Sequence, residues 1–278
     1  MDATRRLPPD LVEHAQLFLS GGKTPVAPRD ASTVVLLREH AGAPQVYLLR
    51  RHLRMAFAAG MYAFPGGAVD PRDVDRAVAW AGPPPSAWAE RLECDDVKAR
   101  ALVCAAVRET FEESGVLLAG ATATSLVSDT TGHDWERDRE ALVDRSLSFA
   151  DFLQRRRLVL RTDLLKAWAH WITPEFEPRR YDTRFFLAAM PAGQRTRDVS
   201  GEADKVTWIL PADAVAGVDE GTMAMLPPTY ITVAELAQFT SVQQALGAAD
   251  GRTIRPVLPG VEIVDGQGFL TVEASTLP

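Results

Sequence analysis

Apolar residues recur along this chain in two rhythms. Thr33–Leu37 and Val46–Arg50 are short β-branched and apolar runs, and His40-Ala41-Gly42-Ala43-Pro44 between them reads as a hairpin connection. Met61–Phe64 is a further short strand that leads into the glycine pair of Phe64-Pro65-Gly66-Gly67. Ala167–Thr173, Arg184–Met190 and Lys205–Leu210 carry the same strand signature, and 254–272 reads as short strands and turns. The helical rhythm appears over Asp10–Leu19, stopped by Gly21-Gly22, and over Trp135–Arg145 and Phe149–Arg157, the last with Ser148 as its cap. Ala121–Asp134 between them is loop-like, Pro211 opens another helix, and Thr232–Leu246 holds one or two more, starting near Thr232 or Val233 and stopped by Gly247.

The longest helix is predicted between Asp95 or Asp96, either of which can cap it, and Ser114, with Gly115 as the stop. Val103, Cys104, Val107 and Phe111 form its apolar stripe. Roughly opposite stand Glu109, Glu112 and Glu113, at positions i, i+3 and i+4. Like charges at that spacing repel, so the cluster calls for compensation. Arg108, four residues before Glu112, can supply part of it, and a hard divalent cation such as Mg²⁺ would supply more. The bland alternative is a solvated charged face. Paired glycines at Gly66 and Gly67 favour the chemical reading, because they let the backbone approach a phosphate or a neighbouring helix.

These residues together resemble the Nudix box: a glycine, five residues, a glutamate, seven residues, then Arg-Glu-φ-x-Glu-Glu-x-Gly-φ, where φ is aliphatic. Gly67 matches the first glycine; Arg108, Glu109, Glu112, Glu113, Gly115 and Val116 match the second half. Asp73 stands at the first glutamate position, Thr110 at an aliphatic one, and Val74–Val107 replaces the short spacer. The long spacer is read as a short helical piece over Asp73–Trp80, an exposed elbow at Gly82-Pro83-Pro84-Pro85-Ser86, and then the acidic helix. A long insertion of this kind resembles that of the coenzyme A diphosphatases of the superfamily. Leu48, Arg51, Gly60 and Phe64–Gly67 also resemble their upstream motif; Ala56 replaces an arginine of that motif, and Arg54 could substitute for it. Trp171-Ile172-Thr173-Pro174 and Arg179–Phe186 resemble them as well.

The resemblance implies an α/β chain with a Nudix-like α/β/α sandwich, a mixed sheet, a helical insertion and extra C-terminal helices. One domain over 1–278 is expected, with the insertion around 74–100 and helical additions at 134–166 and 232–246. It implies hydrolysis of a nucleoside diphosphate-linked small molecule with Mg²⁺ or Mn²⁺. Coenzyme A or acyl-coenzyme A leads, giving phosphopantetheine and 3′,5′-ADP. ADP-ribose or a nucleotide sugar is the second substrate reading, and a nucleotide-binding regulator the third. Implied catalytic residues are Arg108, Glu109, Glu112 and Glu113. Implied metal ligands are the three glutamates, the backbone at Gly67, and a loop acid, Glu202, with Glu175 and Glu177 as rivals. Implied substrate contacts are Arg51, Arg54, Gly66, Arg179, Arg180 and Tyr181; structural service is the competing reading for each arginine.

Composition narrows the setting. The 278 residues are 46% hydrophobic and 24% charged, as in ordinary globular proteins, and the net charge of −7 with no basic block argues against nucleic acid. Arg155-Arg156-Arg157 reads as a helix end. Cys94 and Cys104, the only cysteines, lie around one helix and show neither disulfide nor zinc spacing. With no signal peptide, no membrane-length apolar run and no peroxisomal tripeptide at Ser275–Pro278, a cytoplasmic location is expected, with no membrane partner. The apolar C-terminal region leaves a homodimer open.

Overall fold

The computed structural model describes residues 6–54, 58–199, 201 and 203–272. The strands in chain order are β1 (Arg29–His40), β2 (Ala43–Arg51), β3 (Tyr62–Ala63), β4 (Gly66–Ala68), β5 (Trp80–Ala81), β6 (Ala119–Gly120), β7 (Val159–Arg161), β8 (Lys166–Ile172), β9 (Tyr181–Ala189), β10 (Ala203–Ile209), β11 (Pro256–Val257), β12 (Gly260–Val264) and β13 (Gln267–Thr271). The helices are α1 (Pro9–Leu19), α2 (Pro85–Leu92), α3 (Asp96–Ser114), α4 (His133–Val143), α5 (Phe149–Arg155), α6 (Pro211–Asp219), α7 (Pro227–Leu236) and α8 (Val242–Asp250).

The main sheet is mixed, in the order β10-β2-β1-β9-β8-β11, with β1 parallel to β9 and the β1–β2 hairpin antiparallel. The hairpin turns at Ala41 and Gly42, both with positive φ, which suits the twist of the strands it joins. Successive residues of β1 serve opposite faces. Val34 and Leu36 pack with α3 and α5, whereas Val35 and Leu37 pack with α6, α7 and α8. Burial on both faces explains the continuous apolar runs and gives the expected α/β/α layering.

Near its open end the hairpin splays. β1 pairs with β4 over Ala31–Thr33, and β2 pairs with β3 over Leu49–Arg50, so the Phe64-Pro65-Gly66-Gly67 segment is wedged between the arms. Gly66 suits this wedge because a Cβ there would lie 2.5 Å from the Ser32 carbonyl oxygen.

Asp95, not Asp96, caps α3: its carboxylate accepts from the N–H groups of Val97 and Lys98, both at 2.9 Å. Gly115 ends the helix at φ 75°. The aromatic rings of Phe111, Trp135 and Phe152 meet at 5.3–6.3 Å and fasten α4 and α5 onto α3. Arg156, at the end of α5, pairs with Asp134 and Asp138 and lies over the Trp135 ring. Both cysteines are free. No helix among the described residues is long and apolar enough to cross a membrane.

Five expectations change. Gly247 does not stop a helix: it lacks the left-handed conformation of such a stop and lies inside α8, which runs on to Asp250. The piece over Asp73–Trp80 is not one helix: a single tight turn covers Pro71–Val74, and Trp80 extends to pair with β7 in a small sheet, β5-β7-β6. A lone turn is a poor helix nucleus, and strand pairing wins. The elbow at Gly82–Ser86 runs directly into α2, where prolines stand at the tolerated first positions. For the same reason α7 starts at Pro227 rather than Thr232. β9 starts at Tyr181 rather than Arg184, so Asp182 and Thr183 lie within the strand, where the carboxylate of Asp182 is held by His170, Arg184 and Lys98.

Candidate active site

The acids of α3 occupy its last two turns, where the helix dipole is also negative. Several groups answer that charge. Arg108 donates through Nη1 to Glu109 Oε1 at 2.7 Å and to Glu112 Oε1 at 3.1 Å. Its other edge grips Asp73 in a bidentate pair at 2.9 and 3.1 Å, and Nη2 also donates to the Ala68 carbonyl at 3.0 Å. The shorter carboxylate at the first acidic box position thus serves as the anchor of Arg108. From α4, Arg139 donates to the Glu112 carbonyl at 2.8 Å and pairs with Glu136, which also binds Arg197. Arg197 N–H donates to the Ser114 carbonyl and Thr130 Oγ1 to that of Gly115. These contacts complete the C-terminal end of the helix, whose last carbonyls lack intrahelical partners.

The glycine pair meets the acids directly. Gly66 N–H donates to Glu113 Oε2 at 2.9 Å. A Cβ on Gly67 would sit 2.6 Å from the Glu109 carboxyl carbon, so only glycine leaves that carboxylate room.

Burial acts strongly here. It pushes the Glu109 carboxyl up to about 7, with Arg108 opposing and Glu112 reinforcing the rise. Burial likewise raises Glu112 and Asp73 against the pull of Arg108. Burial works against the charge of Arg108, but Glu109, Asp73 and Glu112 outweigh it and hold the guanidinium firmly charged.

All three glutamates line a cleft of about 870 Å³. Its walls also carry Arg51, Gly66, Gly67, Arg139, Arg179 and Tyr181. Arg54 is exposed and not on the walls. Arg180 is buried, with Nε on the Thr173 carbonyl and Nη1 on that of Val26, so it ties the chain together beside the cleft instead of facing a ligand. Glu202 and Ala56 lie outside the described residues. Of the rival acids, Glu177 is buried on the cleft wall and Glu175 is exposed elsewhere. The sequence reading missed Arg139, Arg72 and Arg29, which also line the cleft. Spacing identifies none of them, though Glu136 three residues before Arg139 is a helical pairing signal.

The donor set suits a hard divalent cation. It offers carboxylate oxygens in a buried, acid-rich cluster, where burial, helped by Glu112, raises Glu109 against the pull of Arg108. Among the described residues, no three acidic, imidazole or thiol side chains are already arranged as a metal cage, since Arg108 spans two of the glutamates.

A splayed hairpin, an acidic helix end and a glycine-lined cleft define a hydrolase of the Nudix class. The family model described as the NUDT19 Nudix domain matches residues 89–236, over half of the sequence, and the chain belongs to this family. The match includes the acidic helix end and starts beyond the glycine pair. The chain is 27% identical over 154 residues to the acyl-coenzyme A diphosphatase NUDT19 of Xenopus laevis, covering 51% of this chain but only 40% of that protein. It is 25% identical to the protein of the same name from Gallus gallus, covering 77% of this chain and 69% of that one. The crystal structure of a Nudix hydrolase from Alicyclobacillus acidocaldarius superposes with a TM-score of 0.68 at 26% identity, covering 80% of this chain and 96% of that one.

Proposed function

We propose that the protein hydrolyses the diphosphate of coenzyme A or acyl-coenzyme A, releasing a phosphopantetheine and 3′,5′-ADP. The observation that carries this reading is the meeting of Glu109, Glu112 and Glu113 with the Gly66–Gly67 backbone on one large cleft. The names of the NUDT19 relatives supply the substrate class. Mg²⁺ or Mn²⁺ held by the three glutamates would neutralise diphosphate oxygens and acidify a water.

The chain's own residues prepare that chemistry. Arg108 holds Glu109 and Glu112, and the Gly66 N–H holds Glu113, at the cleft wall. Arg108 acts on the acids and not on substrate. Arg51, Arg179 and Tyr181 are the substrate contacts of this reading, and Glu177 shares the cleft wall with them. Leu226, Pro227 and Pro228 add an apolar stretch of wall that suits a pantetheine or acyl arm. In this reading the insertion and helical additions form one domain with the sheet, since α4 supplies Arg139 to the site helix.

Glu112→Gln tests the assignment. The expected result is a folded variant that binds substrate but has lost turnover. A wild-type protein that binds the nucleotide and never cleaves it, with or without either metal, would instead make the site a regulator's.

A further inference from the structure

The cleft is open on both sides of β4. Ser32, on the α3 side of β1, donates its hydroxyl to the Leu102 carbonyl of α3. Arg29, Ala31 and Thr33 alternate to the opposite face, yet they line the same cleft as the glutamates. On neighbouring β9, Tyr181, Thr183 and Phe185 pair with these three residues in register and also line it. The floor is therefore a two-stranded ramp running from Thr33 and Phe185, beside the glycine pair, to Arg29 and Tyr181.

The far end of this ramp has its own chemistry. Arg179, two residues before Tyr181, lines the cleft with it and with Arg29, the register partner of Tyr181 on β1. Arg108 and Arg139 are committed to carboxylates and carbonyls, whereas the Arg29 and Arg179 guanidinium groups have no hydrogen-bond or ion-pair partner among the described residues. Glu177, the nearby acid on the wall, is already engaged. Gly67, against Glu109, is in register with Ser32, and Arg29 lies three residues further along β1, about 10 Å at the rise of a strand. A nucleoside with phosphate groups at both ends spans such a gap.

We propose that Arg29 and Arg179, beside Tyr181, form a second anion site that selects substrates with a phosphomonoester on the ribose in addition to the diphosphate. The inference rests on the reading that the diphosphate sits at the glutamates. The two arginines would hold the monoester through charge-assisted bonds, and the tyrosine ring would lie against the adjoining nucleoside. ADP-ribose, which lacks the monoester, leaves this end unused.

Calorimetric titration of the metal-free protein with 3′,5′-ADP and with 5′-AMP tests the site without catalysis. The wild type should bind 3′,5′-ADP roughly ten-fold or more tightly than 5′-AMP, as expected for charge-assisted contacts. The double variant R29Q/R179Q should lose that difference. Both side chains are exposed, so the variant should melt with the wild type. Equal wild-type affinities, or a preference that survives in the variant, would overturn the proposal. Turnover of coenzyme A and its 3′-dephospho form separates the two readings. Equal cleavage of both with equal KM removes the second site and keeps the diphosphatase. Cleavage of neither, with the binding preference intact, removes the diphosphatase and keeps the anion site.

Discussion

Gly67→Ala is the sharpest probe of how the site is built. The new methyl would stand 2.6 Å from the carboxyl carbon and Oε1 of Glu109, and 2.7 Å from Oε2. Non-bonded heavy atoms rest near 3.5 Å, so the carboxylate must retreat by about 1 Å. It cannot do so freely, because Oε1 is tied to Arg108 at 2.7 Å, and Arg108 is locked to Asp73. Overpacking of this kind costs about 1–3 kcal/mol of stability. A misplacement of about 1 Å at reacting groups lowers turnover by roughly a hundred-fold. The assay is kcat and KM for coenzyme A with Mg²⁺ or Mn²⁺, alongside a thermal melt. Gly247→Ala is the control: its added methyl would point into open space, and its place within α8 makes alanine neutral to slightly stabilising. Wild-type kcat in Gly67→Ala would refute the claim that Glu109 must sit where the structure puts it.

Other perturbations address different parts of the account. Arg108→Leu removes the cation shared by Asp73, Glu109 and Glu112; it should cost about 3–5 kcal/mol in denaturant unfolding, and a near-neutral change would contradict the network. The pH dependence of the metal-free protein follows from Glu109. Its folded-state pKa of about 7 lies above the ordinary carboxyl value, so the native state keeps a proton that the unfolded chain has lost, and stability falls as pH rises toward 7. Added Mg²⁺ should therefore raise the melting temperature more at pH 8 than at pH 5; equal shifts would count against the ligand assignment. Asp182 behaves oppositely. Burial opposes its charge, but His170, Arg184 and Lys98 prevail and hold its pKa below the usual range, so its contribution is present above the ordinary carboxyl pKa and is lost as pH falls through the lowered one. Asp182→Asn should cost about 3 kcal/mol at neutral pH and flatten the acid limb of the stability curve, read by denaturant melts across pH.

The elements legible in the sequence are those with local causes. Asp95, the stripe of α3 and Gly115 mark one helix from end to end, and the β1–β2 hairpin follows from two apolar runs around a glycine turn. The acid cluster was legible because three like charges on one helix face demand an explanation. What stayed hidden depends on pairing across long stretches of chain. The wedge of β3 and β4 between splayed strands, and the capture of Trp80 by β7, leave no periodic trace. Arg180 and Arg179 look alike in sequence, but the fold buries one on the carbonyls of Thr173 and Val26 and leaves the other in the cleft. Asp73 stands in the sequence only as a shorter carboxylate at a glutamate position, and three-dimensional packing makes it the partner that holds Arg108. Arg139 is informative only once α4 is seen to lie against the end of α3.

The most direct test is to incubate the purified protein with coenzyme A, acyl-coenzyme A, ADP-ribose, NADH and nucleoside triphosphates, with and without Mg²⁺ or Mn²⁺, and to read the products by mass. The account predicts metal-dependent release of 3′,5′-ADP and a phosphopantetheine from coenzyme A or its thioesters. Cleavage of ADP-ribose alone would contradict the substrate, and a folded protein that cleaves nothing in the panel would contradict the diphosphatase itself.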